Sequence, residues 1–112
     1  MEKEVKAEKV AAATALSGWK KMLAKALQPE DENVDIDVIK ERIKSLDAAW
    51  ARYEKAHSQL ISKLTNLDSN DAEIEQEKWE KELEDYCLAK EKAMATVKNH
   101  QLSHLKVMLI KH

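Results

Sequence analysis

The sequence predicts an all-α fold, an elongated molecule in which a long antiparallel helical hairpin carries an N-terminal helix, as a three-helix bundle or coiled-coil-like unit. Three observations predict it. The 112 residues include one Gly, one Pro and no Phe, with 44% apolar and 36% charged residues, the composition of solvated helices bearing a narrow apolar stripe. Breaking residues cluster at only two places, Gln28-Pro29-Glu30-Asp31-Glu32-Asn33 and Asp68-Ser69-Asn70. Between these breaks the apolar residues recur in an unbroken alternation of three and four, the spacing of a heptad seam. The expected helices cover about 2–27, 36–67 and 71–110 of a single domain, 1–112.

The first helix stops near Leu27, because Pro29 lacks an amide proton and disfavours helical geometry at Gln28. Ala12, Leu16, Trp19, Leu23 and Ala26 share one of its faces. Gly18 interrupts the helix at a cost of about 1 kcal/mol relative to Ala. It marks either a close contact beside Trp19 or a local weak point, and the close contact is the preferred reading.

The second helix has the clearest start. Asp35 caps it, and Val34 and Ile39 are placed to pack together as a hydrophobic staple. Its seam runs through Ile36, Ile39, Ile43, Leu46, Trp50, Tyr53, His57, Leu60, Leu64 and Leu67.

The third helix opens at Asn70 with Glu73 in a capping-box-like arrangement. Ile74, Trp79, Leu83, Tyr86, Cys87, Met94, Val97, Leu105 and Met108 supply its apolar positions, interrupted by Lys90 and Gln101. The short connection between the second and third helices makes them antiparallel. A turn near Asn70 then places Trp50 near Cys87 or Leu88 and Tyr53 near Tyr86. Helices of roughly 30 residues are about 45 Å long, so the molecule is elongated.

The first helix is shorter than the hairpin and leaves apolar surface uncovered. Val107, Met108, Leu109 and Ile110 are consecutive, and four such residues cannot all face one neighbour in a helix. Either another chain covers them or the protein continues beyond His112.

Composition also bears on function. A chain of this size is short for an enzyme with an enclosed active site. The net charge of −2 is spread with both signs interspersed, so no basic stripe tracks phosphates and any RNA contact is weak or indirect. The candidates for such a contact are Lys20, Lys21, Lys25 and the lysines near the C-terminus. The single Cys87 cannot form an internal disulfide, which points to an intracellular, cytoplasmic setting. The Ala-rich run from Val10 to Leu16 is shorter than the roughly 20 apolar residues of a membrane span. Glu2, Glu4 and Glu8 do not suit an import peptide.

No constellation reads as a catalytic, cofactor or metal centre. His100 and His104 share a helical face, but structural zinc takes four ligands and no third His or Cys lies nearby in sequence. Cys87 beside Tyr86 reads as a small core hydrophobe. The carboxylates from Glu73 to Asp85 alternate with Lys78 and Lys81 as a solvated face. His57 sits on the seam, where a lone polar residue fixes register or finds a hydrogen-bond partner; if buried, it makes association pH-sensitive.

The stretch from Val34 to Leu60, VDIDVIKERIKSLDAAWARYEKAHSQL, followed by Glu77-Lys78-Trp79-Glu80-Lys81-Glu82-Leu83-Glu84-Asp85-Tyr86, resembles the helical N-terminal region of Gag-like polyproteins from Bel/Pao retrotransposons. The resemblance covers roughly Trp19 to Val97. No zinc-knuckle, protease, polymerase or integrase motif accompanies it. It implies a structural role in shell assembly, with Ile36, Ile39, Ile43, Leu46, Trp50, Tyr53 and Leu60 as packing positions and no catalytic residues. The expected function is therefore non-enzymatic, helix-based self-association as a homo-oligomer. The interaction and packing positions are that set with His57, Leu64 and Val107 to Ile110. A spectrin-like adaptor binding a protein partner is the alternative, and weak nucleic-acid binding is a further one.

Overall fold

A computed structural model describes residues 2–28, 34–65 and 70–110, with side chains described for 3–28, 34–64 and 70–102. Pro29, Leu67, Asp68 and Ser69 lie outside these residues, as do the side chains of Leu105 and of Val107 to Ile110. The elements are α1 (Glu2–Leu27), α2 (Ile36–Thr65) and α3 (Asp71–Ile110). The molecule measures 67 × 22 × 17 Å, with a radius of gyration of 18.4 Å. A compact chain of this length would have about 13 Å, so the fold is the expected elongated helical bundle.

The start of α2 forms as its sequence dictates. Asp35 Oδ1 accepts hydrogen bonds from the amides of Asp37 (3.0 Å) and Val38 (3.3 Å), satisfying donors that have no intrahelical partner. Val34 and Ile36 lie partly buried against the core beside the fully buried Ile39. At the start of α3 the carbonyl of Asn70 accepts from the amides of Glu73 and Ile74. At the end of α1 the Gln28 amide bonds to the Lys25 carbonyl.

Successive helices run antiparallel: Arg52 of α2 reaches back to Glu8 of α1, and Lys90 of α3 to Asp47 of α2. The core takes Ala12, Leu16 and Leu23 from α1, the α2 seam from Ile39 to Leu64, and Ala93 and Val97 from α3. Trp79, Leu83, Tyr86 and Ala89 pack against it, half-buried. Although the α2/α3 hairpin dominates the sequence pattern, α1 and α2 make the closer pair. Small residues explain this: Ala12 and Ala49 sit in that contact and let the backbones approach. Bulky Trp79 and Tyr86 hold α3 further off.

Three expectations are corrected. Trp50, expected near Cys87 or Leu88, stacks on Tyr86, with ring centroids 4.8 Å apart and planes 8° from parallel, and has the Trp79 ring centre at 6.2 Å. The hairpin register is thus shifted by a residue or two. Cys87, Ile74 and Met94 are exposed and do not belong to the core. At roughly 100° per residue, the inner face set by Trp79, Leu83, Tyr86, Ala93 and Val97 leaves Cys87 and Met94 a quarter turn away and Ile74 further round. Gly18 makes no close contact: a Cβ built there meets nothing within 4 Å, so it is the weak point and not a space for a crossing helix.

Candidate functional site

Continuing the α1 face upstream of Ala12 by three residues reaches Lys9, which is 5% exposed. An ammonium in that position needs partners, and both other helices supply them. Lys9 Nζ donates to Glu75 Oε2 (2.6 Å) and the Glu75 carbonyl (3.3 Å) on α3, and to His57 Nδ1 (3.1 Å) on α2. It also lies 5.5 Å from the centre of the Tyr53 ring.

His57 is as buried as Lys9, at 5%. An ammonium has only hydrogens to offer, so Nδ1 must accept and Nε2 carries the proton. Nε2–H donates to Gln76 Oε1 at 3.0 Å, and the imidazole stacks on Trp79 at 5.3 Å. Burial holds the His57 pKa below its ordinary value; the Gln76 hydrogen bond opposes this, the Lys9 charge adds to it, and the carboxylates of Glu75 and Glu54 oppose it. Burial works against the charged form of Glu75, but Lys9, by hydrogen bond and charge, together with Lys78, outweighs it and leaves the carboxyl below the usual range. Tyr53, beneath the cluster, is pushed up to about 12 by burial and by the charges of Glu82 and Glu75.

This cluster is a polar layer through all three helices. Its groups are bonded to one another across the helices, which fixes alignment: the cation meets these partners at a single register. A second polar contact lies further along α2 and α3, where Asp47 accepts from the Tyr86 hydroxyl and from Lys90. Lys90, which interrupts the apolar stripe in the sequence, is thereby a seam residue with a mate. Burial first, then the hydrogen bond to Asp47, raises the Tyr86 pKa.

Two shallow grooves flank the polar layer. One, of about 330 Å³, lies between α1 and α3 and is lined by Lys6, Val10, Ala13, Tyr53, Leu60 and Lys78 among others. The other lies between α2 and α3 beside Glu54, His57, Ser58, Gln76 and Trp79. Trp79 Nε1 is buried and has no hydrogen-bond partner among the described residues.

The expected packing positions of α2 are placed together: Ile39, Ile43, Leu46, Trp50, Tyr53, His57, Leu60 and Leu64 are buried and Ile36 partly so, all turned into the protein's own core. Val107, Met108, Leu109 and Ile110 lie within α3, but their side chains fall outside the described residues. His100 is exposed, and the side chain of His104 is likewise outside the described residues. No group of three or more His, Cys, Asp or Glu poised to hold a metal occurs among the described residues. Lys20, a candidate for RNA contact, is paired with Glu82 at 3.0 Å. Among the described residues no helix is long and apolar enough to cross a membrane.

Lys9, Glu75 and Gln76 were not legible as a site. The available signal was a lysine continuing the α1 apolar face and a glutamine three residues before Trp79 on that of α3. No family model, curated protein or solved structure matches the chain.

Proposed function

We propose that the chain is a non-enzymatic, intracellular helical assembly module that self-associates, the role implied by its resemblance to Gag-like N-terminal regions. The observation that carries the reading is the apolar surface left on α3: Ile74, Leu88, Met94 and Leu102 are each about half exposed. Scattered single hydrophobes need no explanation, but Ile74, Leu88 and Leu102 recur at two-heptad intervals on one face, the line that a helix laid along α3 would follow. The 40 residues of α3 against the 30 of α2 add to this. With Lys90 opposite Asp47, the last residues of α3 run on beyond the start of α2 without a partner helix from it.

Sedimentation velocity from low-micromolar to near-millimolar concentration tests the proposal. The expected result is a weight-average mass that rises with concentration. A chain that stays monomeric throughout overturns it and favours the second reading, a spectrin-like adaptor, for which the open groove between α1 and α3 is the supporting feature.

A further inference from the structure

Among the described residues, three of the four exposed large apolar residues of α3 are spaced in a way that names their occupant, and Met94 lies off their line. Ile74, Leu88 and Leu102 are 51%, 57% and 48% exposed and stand at equal intervals of two heptads, with Leu88 at the midpoint. A strict seven-residue repeat stays on one face when two helices supercoil. Turned end for end about Leu88, the stripe superimposes on itself: Ile74 falls on Leu102, Leu88 on Leu88, and the stem of Lys81 on Ala95. This self-complementarity is what a two-fold interface requires.

Charge selects the direction. Between Asp71 and Asp85, α3 carries eight acidic residues and two lysines; from Tyr86 to Ile110 it carries four lysines and one acid, Glu91. Parallel pairing sets each half against its own sign, with Glu77 on Glu77 and Lys98 on Lys98. Antiparallel pairing about Leu88 sets Glu77 beside Lys98 and Asp85 beside Lys92, leaving Glu84 near Glu91 as a like-signed pair. The net effect favours antiparallel association.

We infer that the outward face of α3 is a homodimer interface, in which a second copy of this chain packs antiparallel about an axis at Leu88. The inference rests on the self-association reading and adds the face and the direction. Cys87, the single thiol, is exposed about 100° round the helix from Leu88, so the two copies carry their thiols on one flank of the interface, one helix-helix spacing of about 8–10 Å apart.

The test combines sedimentation with cross-linking of the full chain. Leu88→Glu alters an exposed position, so helicity by circular dichroism stays unchanged while the dimer dissociation constant rises at least about tenfold, the effect of losing a central anchor. A short bis-maleimide linker that spans about 10 Å joins Cys87 to Cys87 of the second copy in the wild type, read on a denaturing gel, and Leu88→Glu abolishes the product. Lys92→Glu weakens the dimer, and adding Asp85→Lys restores it. If the wild type associates but Leu88→Glu does not weaken it and no Cys87 cross-link forms, the face is wrong while self-association stands. Charge-swap variants that fail to rescue overturn the antiparallel direction. A wild type that is monomeric at all concentrations overturns both.

Discussion

Replacing Lys9 with methionine keeps the length of the side chain and removes its charge, which isolates what the polar layer contributes. The Lys9 and Glu75 side chains are 6% and 16% exposed, with the ammonium 2.6 Å from the carboxylate. Removing one partner of a buried pair costs about 3–5 kcal/mol, because the other charge is left without a mate. Here Lys78 also reaches Glu75, at 3.4 Å, and the carboxylate is not fully shielded from water. The expected loss for Lys9→Met is therefore about 2–3 kcal/mol, at or below the lower end of that range. Glu75→Leu alone strands the ammonium against His57 and costs a comparable amount. The double variant Lys9→Met/Glu75→Leu replaces the pair with apolar volume, which is often neutral, and recovers most of the loss, leaving about 1–2 kcal/mol for the buried His57 Nδ1 that no longer has a donor. Urea unfolding, followed by circular dichroism and tryptophan fluorescence, measures all four stabilities. Losses that add to within about 0.5 kcal/mol would show that the two residues do not act as a pair and would refute the reasoning.

Two further outcomes follow from the same geometry. Because the His57 pKa is depressed from 6.5 in the folded protein, the unfolded chain takes up the proton first as pH falls. The contribution is full above that pH and is lost on acidification through it, with Glu75 extending the same sign below 4.5. The melting temperature is thus lower at about pH 5.5 than at about pH 7.5, and His57→Gln flattens the dependence; an equal slope in the variant assigns the effect elsewhere. Gly18→Ala stabilises the protein by about 0.5–1 kcal/mol, since the position is helical, exposed and open to a methyl group. A lower urea midpoint in that variant would mean a contact at Gly18.

The α2 seam was legible because one rule governs it. Its heptad positions face α1 and α3 together, so each apolar residue from Ile39 to Leu64 is buried wherever the neighbours settle. On α3 the same pattern misleads, because the helix carries apolar residues on two faces. Cys87 is adjacent to Tyr86 in sequence but a quarter turn away in space, and only packing against α2 decides which face turns inward. Lys9 was illegible for a different reason. A lysine on an alanine-rich helix reads as solvated until it is known that Glu75 and His57, 66 and 48 residues away in sequence, converge on it.

The two parts of the molecule that sequence reading separates least well, the inner polar layer and the outer apolar stripe, depend on each other. An apolar seam with a repeating heptad tolerates sliding, because one leucine layer replaces another at little cost. Lys9 removes that freedom: one turn of slip in α3 takes Glu75 about 5.4 Å from the ammonium, exchanging a satisfied buried charge for a stranded one. The Lys90–Asp47 and Tyr86–Asp47 contacts impose the same condition further along the hairpin. Fixing the translation of α3 also fixes its rotation, since sliding a helix past its neighbour without turning it would present different side chains to the seam. The contacts that hold Glu75, Gln76, Tyr86 and Lys90 inward therefore keep Leu88 outward, so a variant that weakens the polar layer should also blur the face on which a second copy would dock.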